Sequence, residues 1–425
     1  MRVAIIGGGY AGMAAAVTLA ECGVPVTVFE AADTLGGRAR RVEKHGLALD
    51  NGQHLMIGAY RETLRLIRLV NPRAGRALFR MPLDWHIHGK FHLHVPRLPF
   101  SLGLLAGVGR AQGATPAEKL AALRFMLRQQ RCKFSLGHAM SVAELLDAEG
   151  EAGAFREHLW EPLCLAALNT PPQLADAQIF LNVLRDGLSG GNGASDLLLA
   201  RSDLSALFPE PAATYVRARG GEVLTGCTVL ALNKSTEGLV VETASAGLEF
   251  SHVICALPPH RLALLACLPE LTLLLERMAQ FRYQPITTVY LQYPGSVCLP
   301  QPLLGLDVPH LPWCFDRGQL CGQAGLIAVV LSAVAPTEER PGEVLAQQLH
   351  RALSTVLPRL PQPLWHQVIA EKRATFSCEP GLERPPMKTA LENFYLVGDY
   401  VSGDYPATLE GAVRSGVSAA LCVLR

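Results

Sequence analysis

The chain has 425 residues, of which 49% are hydrophobic and 18% charged, and its 38 basic and 37 acidic side chains leave a formal net charge of +1. A chain of this length predicts two or three domains with enough apolar material for a core. The near-zero charge excludes a field strong enough to hold a nucleic acid, and the apolar excess predicts an oily pocket or a membrane-facing patch.

The first elements along the chain predict a dinucleotide-binding unit. Residues 3–30 contain an apolar strand, a glycine-rich turn, an alanine-rich helix, a second strand and the terminal acid Glu30. In this order of elements Gly7 allows the tight turn, Gly9 lets the backbone approach a pyrophosphate, and Gly12 lets the helix pack closely on the strand. Since Glu30 can accept both ribose hydroxyls, we predict a dinucleotide cofactor.

The region from 85 to 211 has mostly helical patterns. Thr115 and Ser141 each begin a capping box, and the first of these two helices is predicted to run toward Arg131. A further amphipathic stretch, 155–168, ends before a Pro-Pro pair because proline cannot continue a helix. We therefore expect helices to dominate this part of the chain.

Short strands return after residue 215. The segments 221–224, 228–232, 239–243 and 252–256 are spaced like a small antiparallel meander that leads back into a parallel sheet. The remaining expected elements are strands near 288–293 and 326–332, a helix near 343–357, and a final strand and closing helix within 394–425.

The eleven cysteines include no Cys-x-x-Cys pair, and many lie in apolar stretches. We expect them to be reduced and buried in a cytoplasmic protein, and we predict no metal site. The N-terminus enters a strand directly, without the charged leader and cleavage site of a signal peptide, so we do not expect export.

Four further motifs stand at the two ends of the chain, in residues 35–39, 49–54, 395–399 and 408–412. Together with the glycine-rich turn they resemble the flavin amine oxidase and phytoene desaturase superfamily, and most of all its squalene-associated branch, the hydroxysqualene dehydroxylases. FAD is preferred over NAD because the motifs at Gly36, Asp50 and Asp399 have no use in a simple nicotinamide-binding fold.

The resemblance implies an α/β fold, in which a Rossmann-like FAD-binding domain of the glutathione-reductase type is interleaved with an α+β substrate domain. The expected FAD-binding sections are 1–84, 215–261 and 381–425. The expected substrate-domain sections are 85–214, mostly helical, and 262–380, mixed. The active site is expected between the two domains.

By the same resemblance, Arg38 lies beside the pyrophosphate, the backbone of Val229 contacts the adenine, Asp399 holds the ribityl or pyrophosphate portion, and residues 408–412 run along the isoalloxazine. The complete set of predicted cofactor-binding residues is Gly7, Gly9, Tyr10, Ala11, Gly12, Glu30, Ala31, Gly36, Gly37, Arg38, Asn51, Gly52, Gln53, His54, Val229, Gly398, Asp399, Thr408, Leu409 and Ala412.

If the squalene-branch resemblance holds, the reaction is reductive: hydroxysqualene loses its hydroxyl as water and takes hydride from reduced FAD, giving squalene. This chemistry needs an acid near the hydroxyl. The candidates flanking the predicted flavin contacts are Asp404, Tyr405, His54 and Tyr400, with Asp404 and Tyr405 preferred because Gly403 and Pro406 predict a loop there. Three alternatives stay open: a polyene desaturase, an amine oxidase that lacks the Ser-Gly-Gly-Cys of covalent flavin attachment, and a non-catalytic scaffold.

The implied partners are a long-chain isoprenoid, C30 by the resemblance, and other enzymes of squalene synthesis. The eleven residues 98–108, bounded by Arg97 and Arg110, are apolar but too short to span a bilayer, which needs about 20 residues. Two interpretations of this segment stay open. It packs in the core of the substrate domain, or it forms a peripheral contact at the inner face of the membrane.

Overall fold

The structure is a computed structural model that describes residues 1–98, 100–189, 193–236, 238–265, 268–337 and 341–425. The strands of this part are β1 (Val3–Ile6), β2 (Val26–Phe29), β3 (Arg41–Lys44), β4 (Leu47–Asp50), β5 (Leu55–Ile57), β6 (Leu78–Met81), β7 (Asp84–Ile87), β8 (Phe91–His94), β9 (Leu197–Ala200), β10 (Glu222–Leu224), β11 (Val229–Lys234), β12 (Leu239–Thr243), β13 (Gly247–Phe250), β14 (His252–Cys255), β15 (Tyr283–Gln292), β16 (Leu303–Gly305), β17 (Trp313–Asp316), β18 (Leu326–Ser332), β19 (Trp365–Phe376) and β20 (Phe394–Leu396).

The α-helices of the same part are α1 (Tyr10–Glu21), α2 (Arg61–Val70), α3 (Ala74–Ala77), α4 (Phe100–Arg110), α5 (Pro116–Arg131), α6 (Val142–Ala148), α7 (Gly153–Phe155), α8 (Glu161–Leu168), α9 (Ala177–Ser189), α10 (Leu204–Leu207), α11 (Pro209–Arg217), α12 (Thr272–Ala279), α13 (Arg317–Cys321), α14 (Gly342–Val356) and α15 (Leu409–Val423). A π-helical turn, Arg156–Trp160, joins α7 to α8, so the helix expected over 155–168 is present with one irregular turn.

A five-stranded parallel sheet gathers three distant sections of the chain. Its strand order is β10-β2-β1-β14-β20. The central strand β1 is an uninterrupted apolar run and is fully buried, as expected where helices cover both faces of a parallel sheet. The two ends of the chain therefore meet in one sheet, and the Rossmann-like α/β architecture predicted from the motifs is confirmed.

The first and last helices pack directly against each other beside this sheet. A Cβ atom at Gly416 of α15 would lie 2.1 Å from the carbonyl oxygen of Ala11 in α1, so the close crossing requires glycine. Almost every residue of α1 is buried, because it is covered by the sheet on one side and by α11 and α15 on the other. Its alanines suit this position, since small side chains let backbones approach closely.

The strands after residue 215 divide differently from the expected meander. β11, β12 and β13 form a three-stranded antiparallel sheet, but β10 pairs in parallel with β2, with Val223 opposite Val28. The expectation was wrong for this first strand. β10 instead extends the edge of the parallel sheet beside β2, and the chain then leaves that sheet through residues 225–228 to begin β11, so no hairpin joins β10 to β11.

A seven-stranded mixed sheet forms the second large layer, in the order β19-β15-β18-β17-β16-β7-β8. Helix α14 covers one face of it through Leu345, Leu349 and Leu353. The region expected to be mostly helical contributes β7, β8 and β9. In β7 and β8 buried Trp85 and Phe91 alternate with histidines, which is the period-two pattern of a half-buried hairpin. Both capping boxes are present. The domain boundaries themselves stay a prediction.

The ten cysteines in the described residues are free, and Cys267 lies outside them. Cys164, Cys255, Cys314 and Cys378 are buried as expected, but Cys22, Cys132 and Cys298 are exposed. Cys22 and Cys132 are C-cap residues, where the chain leaves the helix and the side chain meets solvent. Across the described residues we find no helix that combines the length and the apolar character needed to cross a membrane.

Candidate FAD site

The glycine turn after β1 leaves room for a cofactor and for close helix packing. A Cβ atom at Gly12 would lie 2.0 Å from the carbonyl oxygen of Gly7, so only glycine lets α1 begin so near the strand. Gly9 is the N-cap of α1, and no side chain caps this helix start. The first N–H groups of the helix are therefore left for an anion, as a pyrophosphate requires.

A second glycine turn lies against the first. Gly36 donates its N–H to the carbonyl of Gly8 at 3.0 Å, and a Cβ atom at Gly37 would lie 3.3 Å from the Cα atom of Gly9. Both residues have positive φ angles, +122° for Gly36 and +61° for Gly37. The two turns form a narrow backbone cradle that side chains would fill, and this geometry fits FAD.

Glu30 is held beside the same turn by backbone hydrogen bonds. Its carboxylate accepts the N–H of Gly8 at 2.7 Å and that of Ala32 at 2.8 Å. Ala31, between Glu30 and Ala32 in the sequence, is exposed. Val229, at the start of β11, is buried. The carboxylate is thus oriented at the end of β2, where a ribose would lie above the turn.

Two residues predicted independently to contact the flavin bind each other. The guanidinium of Arg38 donates a hydrogen bond to the carboxylate of Asp399 and another, of 2.8 Å, to the carbonyl of Ala374. Asp399 is buried just after β20, and Gly398 before it has a φ angle of +151°. The sequence predicted that the positive charge of Arg38 faces the pyrophosphate. The structure shows that it also pairs with the carboxylate of Asp399, which is 361 residues away in the chain.

The loop at 50–54 is fixed by a buried ion pair that the sequence did not indicate. Arg317 donates to Asp50 at 2.9 Å and to Gln53 at 3.1 Å, and the side chains of the ion pair are 2% and 3% exposed. The hydroxyl of Tyr290 lies 2.7 Å from the carbonyl of Asp50 and accepts from Gln53 at 2.9 Å. Asn51 accepts the N–H of Arg40 at 3.3 Å. The seven-stranded sheet and α13 thereby position a predicted flavin-binding loop.

His54 lies on this loop in a form that does not favour acid catalysis. Its Nδ1 is 3.1 Å from the carbonyl of Gly52. Burial lowers the pKa of His54, and the nearby charge of Arg38 lowers it further, against the effect of the Gly52 hydrogen bond. A neutral ring that donates from Nδ1 offers an acceptor at Nε2.

Helix α15 begins with a side-chain cap. Thr408 accepts the N–H of Gly411 at 3.0 Å, so one N–H group in the segment predicted to run along the isoalloxazine is already bound. Leu409 and Ala412 are half-buried beside it. Glu410 is fully buried and accepts from Thr63 at 2.8 Å and from Arg414 at 2.7 Å. Sequence reasoning missed this carboxylate; its signal was an acid within an otherwise uncharged helix start.

The preferred acid candidates lie on the loop before α15, in different environments. Asp404 is 65% exposed, with Arg185 at 3.8 Å. The hydroxyl of Tyr405 donates to Asp186, and burial followed by this hydrogen bond raises the pKa of Tyr405 to about 12. Tyr400 is buried and donates to the carbonyl of Leu257 at 3.0 Å, which is a packing role.

A cavity of about 250 Å³ opens beside Asp404, between α9 and the loop at 401–404. The lining combines the apolar Phe376 and Leu382 with polar groups. The polar residues that line it are Asp176, Gln178, Asn182, Glu379, Arg384 and Asp404. An oily pocket was expected, and this cavity has a charged wall. Among the described residues no group of three or more His, Cys, Asp and Glu side chains could hold a metal ion.

The family of flavin containing amine oxidoreductases matches residues 10–424 of the chain. The chain belongs to this family. It is an FAD-dependent oxidoreductase, as the motifs predicted.

Among its curated relatives, the hydroxysqualene dehydroxylase of Rhodopseudomonas palustris is 29% identical over 99% of this chain and 98% of the relative. The hydroxysqualene dehydroxylase of Zymomonas mobilis is 27% identical over 98% of this chain and 97% of the relative. The zeta-carotene desaturase of Arabidopsis thaliana is 24% identical over 98% of this chain and 84% of the relative. Cyclohexylamine oxidase from Brevibacterium oxydans has a similar fold, with a TM-score of 0.66 and 17% identity over 99% of this chain and 98% of the other.

Proposed function

We propose that this enzyme reduces hydroxysqualene to squalene, with loss of the hydroxyl as water. The observation that carries the proposal is the match to three hydroxysqualene dehydroxylases at 27–29% identity over at least 97% of every chain compared. The match extends through the middle sections that build the second sheet, so it includes the part of the chain expected to bind substrate. A C30 isoprenoid is the substrate class that these relatives support.

FAD, when bound and reduced, supplies the hydride for this reaction. The chain's own residues are proposed to do the rest. The two glycine turns and the first turn of α1 bind the pyrophosphate, and Glu30 binds the ribose. The Arg38–Asp399 pair orients the ribityl and pyrophosphate portion of the cofactor. The loop at 50–54 lines the flavin.

Asp404 is proposed to deliver the proton to the leaving hydroxyl. Its carboxyl lies on the edge of the charged cavity and is 65% exposed, so it can be reprotonated from solvent. Tyr405, whose pKa is raised to about 12, suits a hydrogen-bond donor better than an acid. His54, held neutral by burial, suits an acceptor. The remaining predicted cofactor contacts stay proposals.

The test is an anaerobic assay with the photoreduced holoenzyme. Hydroxysqualene should reoxidise the flavin and give a product that lacks one oxygen by mass spectrometry, whereas phytoene and an amine should not. Asp404→Asn should slow this reoxidation while FAD stays bound. Asp147→Asn is the matched control, because Asp147 is 66% exposed and likewise paired with an arginine. Full turnover by Asp404→Asn would remove Asp404 from the role.

Polyene desaturation is the second candidate, since zeta-carotene desaturases match at 23–24% identity over nearly the whole chain. The direction of electron flow separates the two reactions. A desaturase takes hydrogen from its substrate and needs oxidised FAD, so bleaching of the oxidised flavin by a polyene would favour it. Peroxide formation with amines would instead favour an amine oxidase.

We also propose a peripheral membrane contact through residues 98–108, at the inner face of the cytoplasmic membrane. Leu98, Leu102 and Leu105 are 46%, 56% and 48% exposed, whereas Val108 is buried in the core and Leu104 packs against it. One face of the segment therefore packs in the core and the other face is free to meet lipid; Pro99 lies outside the described residues. Leu102→Glu with Leu105→Glu should abolish flotation with liposomes. The control is Leu273→Glu with Leu364→Glu, at similarly exposed positions. Absence of flotation by the unmodified protein would end this proposal.

A further inference from the structure

Helix α5 has two opposite faces of different character. Ala122, Phe125, Met126 and Gln129 are buried against the rest of the protein. The outward face presents two leucines and three arginines at helical spacing: Leu120, Arg124, Leu127, Arg128 and Arg131. Because these positions repeat every three or four residues, they lie in one stripe along a helix about 24 Å long.

The leucines of this stripe are unusually exposed for a helix packed on a folded protein. Leu120 is 47% and Leu127 is 51% exposed. A single exposed leucine needs no explanation, but two of them in line with arginines form a surface that is both apolar and cationic. Long arginine side chains can lie along an apolar surface and keep their charge at a polar boundary.

Charge in this part of the chain is strongly one-sided. Six basic residues and one acid lie between Arg110 and Lys133, in a protein whose total net charge is only +1. The one acid, Glu118, is engaged in the capping box of α5. The stripe is therefore complementary to an anionic surface, and a second copy of the same stripe would be repelled.

The stripe also lies beside the segment proposed to contact membrane. The ammonium group of Lys119 in α5 donates to the carbonyl of Gly109 at the end of α4, at 3.2 Å. Leu102 and Leu105 of α4 are exposed in the same way as the leucines of α5. Two adjacent helices thus offer leucines to solvent, and the second supplies the positive charge.

We infer that the outward face of α5 binds the headgroup region of an anionic phospholipid bilayer. The leucines enter the boundary between headgroups and acyl chains, and Arg124 and Arg131 pair with lipid phosphates. Arg128 contributes less because it is already paired with Glu149 at 2.7 Å. This inference concerns a lipid surface and not the substrate, so a vesicle experiment tests it independently of the proposed reaction.

The experiment measures cosedimentation of the FAD-loaded protein with vesicles of mixed phosphatidylglycerol and phosphatidylcholine, and with phosphatidylcholine alone. Binding should be strong only with the anionic vesicles and should weaken with added salt. Arg124→Gln with Arg131→Gln should weaken binding about 30-fold, corresponding to about 1 kcal/mol per arginine and about 1.4 kcal/mol per tenfold change.

Two control pairs make the result specific. Arg351→Gln with Arg359→Gln removes the same charge from exposed positions in and after α14, and should leave binding within about twofold. Leu120→Gln with Leu127→Gln should weaken binding at least about tenfold without changing the charge. Flavin absorbance and the elution volume in size exclusion report whether each variant is folded.

Equal binding to both vesicle types would overturn the inference, as would equal effects of the two arginine pairs. It would also fail if the unmodified protein bound no vesicle, or if the α5 variants changed the oligomeric state and not vesicle binding.

Discussion

The buried ion pair between Arg317 and Asp50 gives the sharpest test of how α13, beside the seven-stranded sheet, holds the loop at 50–54 that is predicted to bind the flavin. Arg317→Met keeps much of the volume and removes the charge, so Asp50 is left buried without its counter-ion. Arg317 also donates to Gln323 at 2.8 Å and to the carbonyl of Ala48 at 3.3 Å. Breaking a buried pair from one side costs about 3–5 kcal/mol, and we expect a loss of that size in the free energy of unfolding at neutral pH.

The loss should depend on pH in a direction that follows from Asp50. Burial already raises the pKa of Asp50, against the opposing effect of Arg317. Without the arginine this pKa rises further. A carboxyl whose pKa is higher in the folded than in the unfolded protein favours folding at low pH, and this contribution is lost as pH rises through the folded pKa. Arg317→Met should therefore be less destabilising at acid than at neutral pH.

The assay is urea unfolding of the holoenzyme at acid and neutral pH, followed by intrinsic and flavin fluorescence. Arg317→Met combined with Asp50→Asn removes both charges and should recover part of the loss. Arg277→Met is the control, since Arg277 and its partner Glu383 are 59% and 78% exposed and such pairs contribute at most about 1 kcal/mol. The reasoning is refuted if Arg317→Met and Arg277→Met lower the free energy of unfolding by the same amount and the loss caused by Arg317→Met does not change with pH.

Two other variants test the glycine turns and the loop before α15. Gly12→Ala would put a Cβ atom 2.0 Å from the Gly7 carbonyl, so the purified protein should lose most of its FAD absorbance, whereas Gly109→Ala, with nothing within 4 Å, should retain it. Asp186→Asn should bring the pKa of Tyr405 below about 12, because the hydrogen bond to the carboxylate adds to the effect of burial. The measurement is a pH titration of tyrosinate absorbance, in which the signal of Tyr405 is the part that is missing in a variant that also carries Tyr405→Phe. The same titration midpoint for Tyr405 with and without Asp186→Asn would contradict the prediction.

Much of the site could be predicted because its signals are local. The glycines at 7, 9 and 12 act on neighbours within one turn, and their strand and helix follow at once in the chain. The capping boxes at Thr115 and Ser141 join residues three apart, and both are present. Such features depend only on backbone geometry that the sequence specifies over a few residues.

The contacts that organise the site depend on partners far along the chain. Arg38 meets Asp399 across 361 residues, Arg317 meets Asp50 across 267, and Tyr405 meets Asp186 across 219. No local pattern distinguishes these side chains from others of the same type, because each finds its partner only when the fold brings distant segments together. Only the Arg317–Asp50 pair is then removed almost completely from water. The sequence by itself determined the cofactor cradle and the class of fold. The tertiary structure alone decided which buried charges are neutralised, where β10 enters the sheet, and how the loops around the flavin site are held.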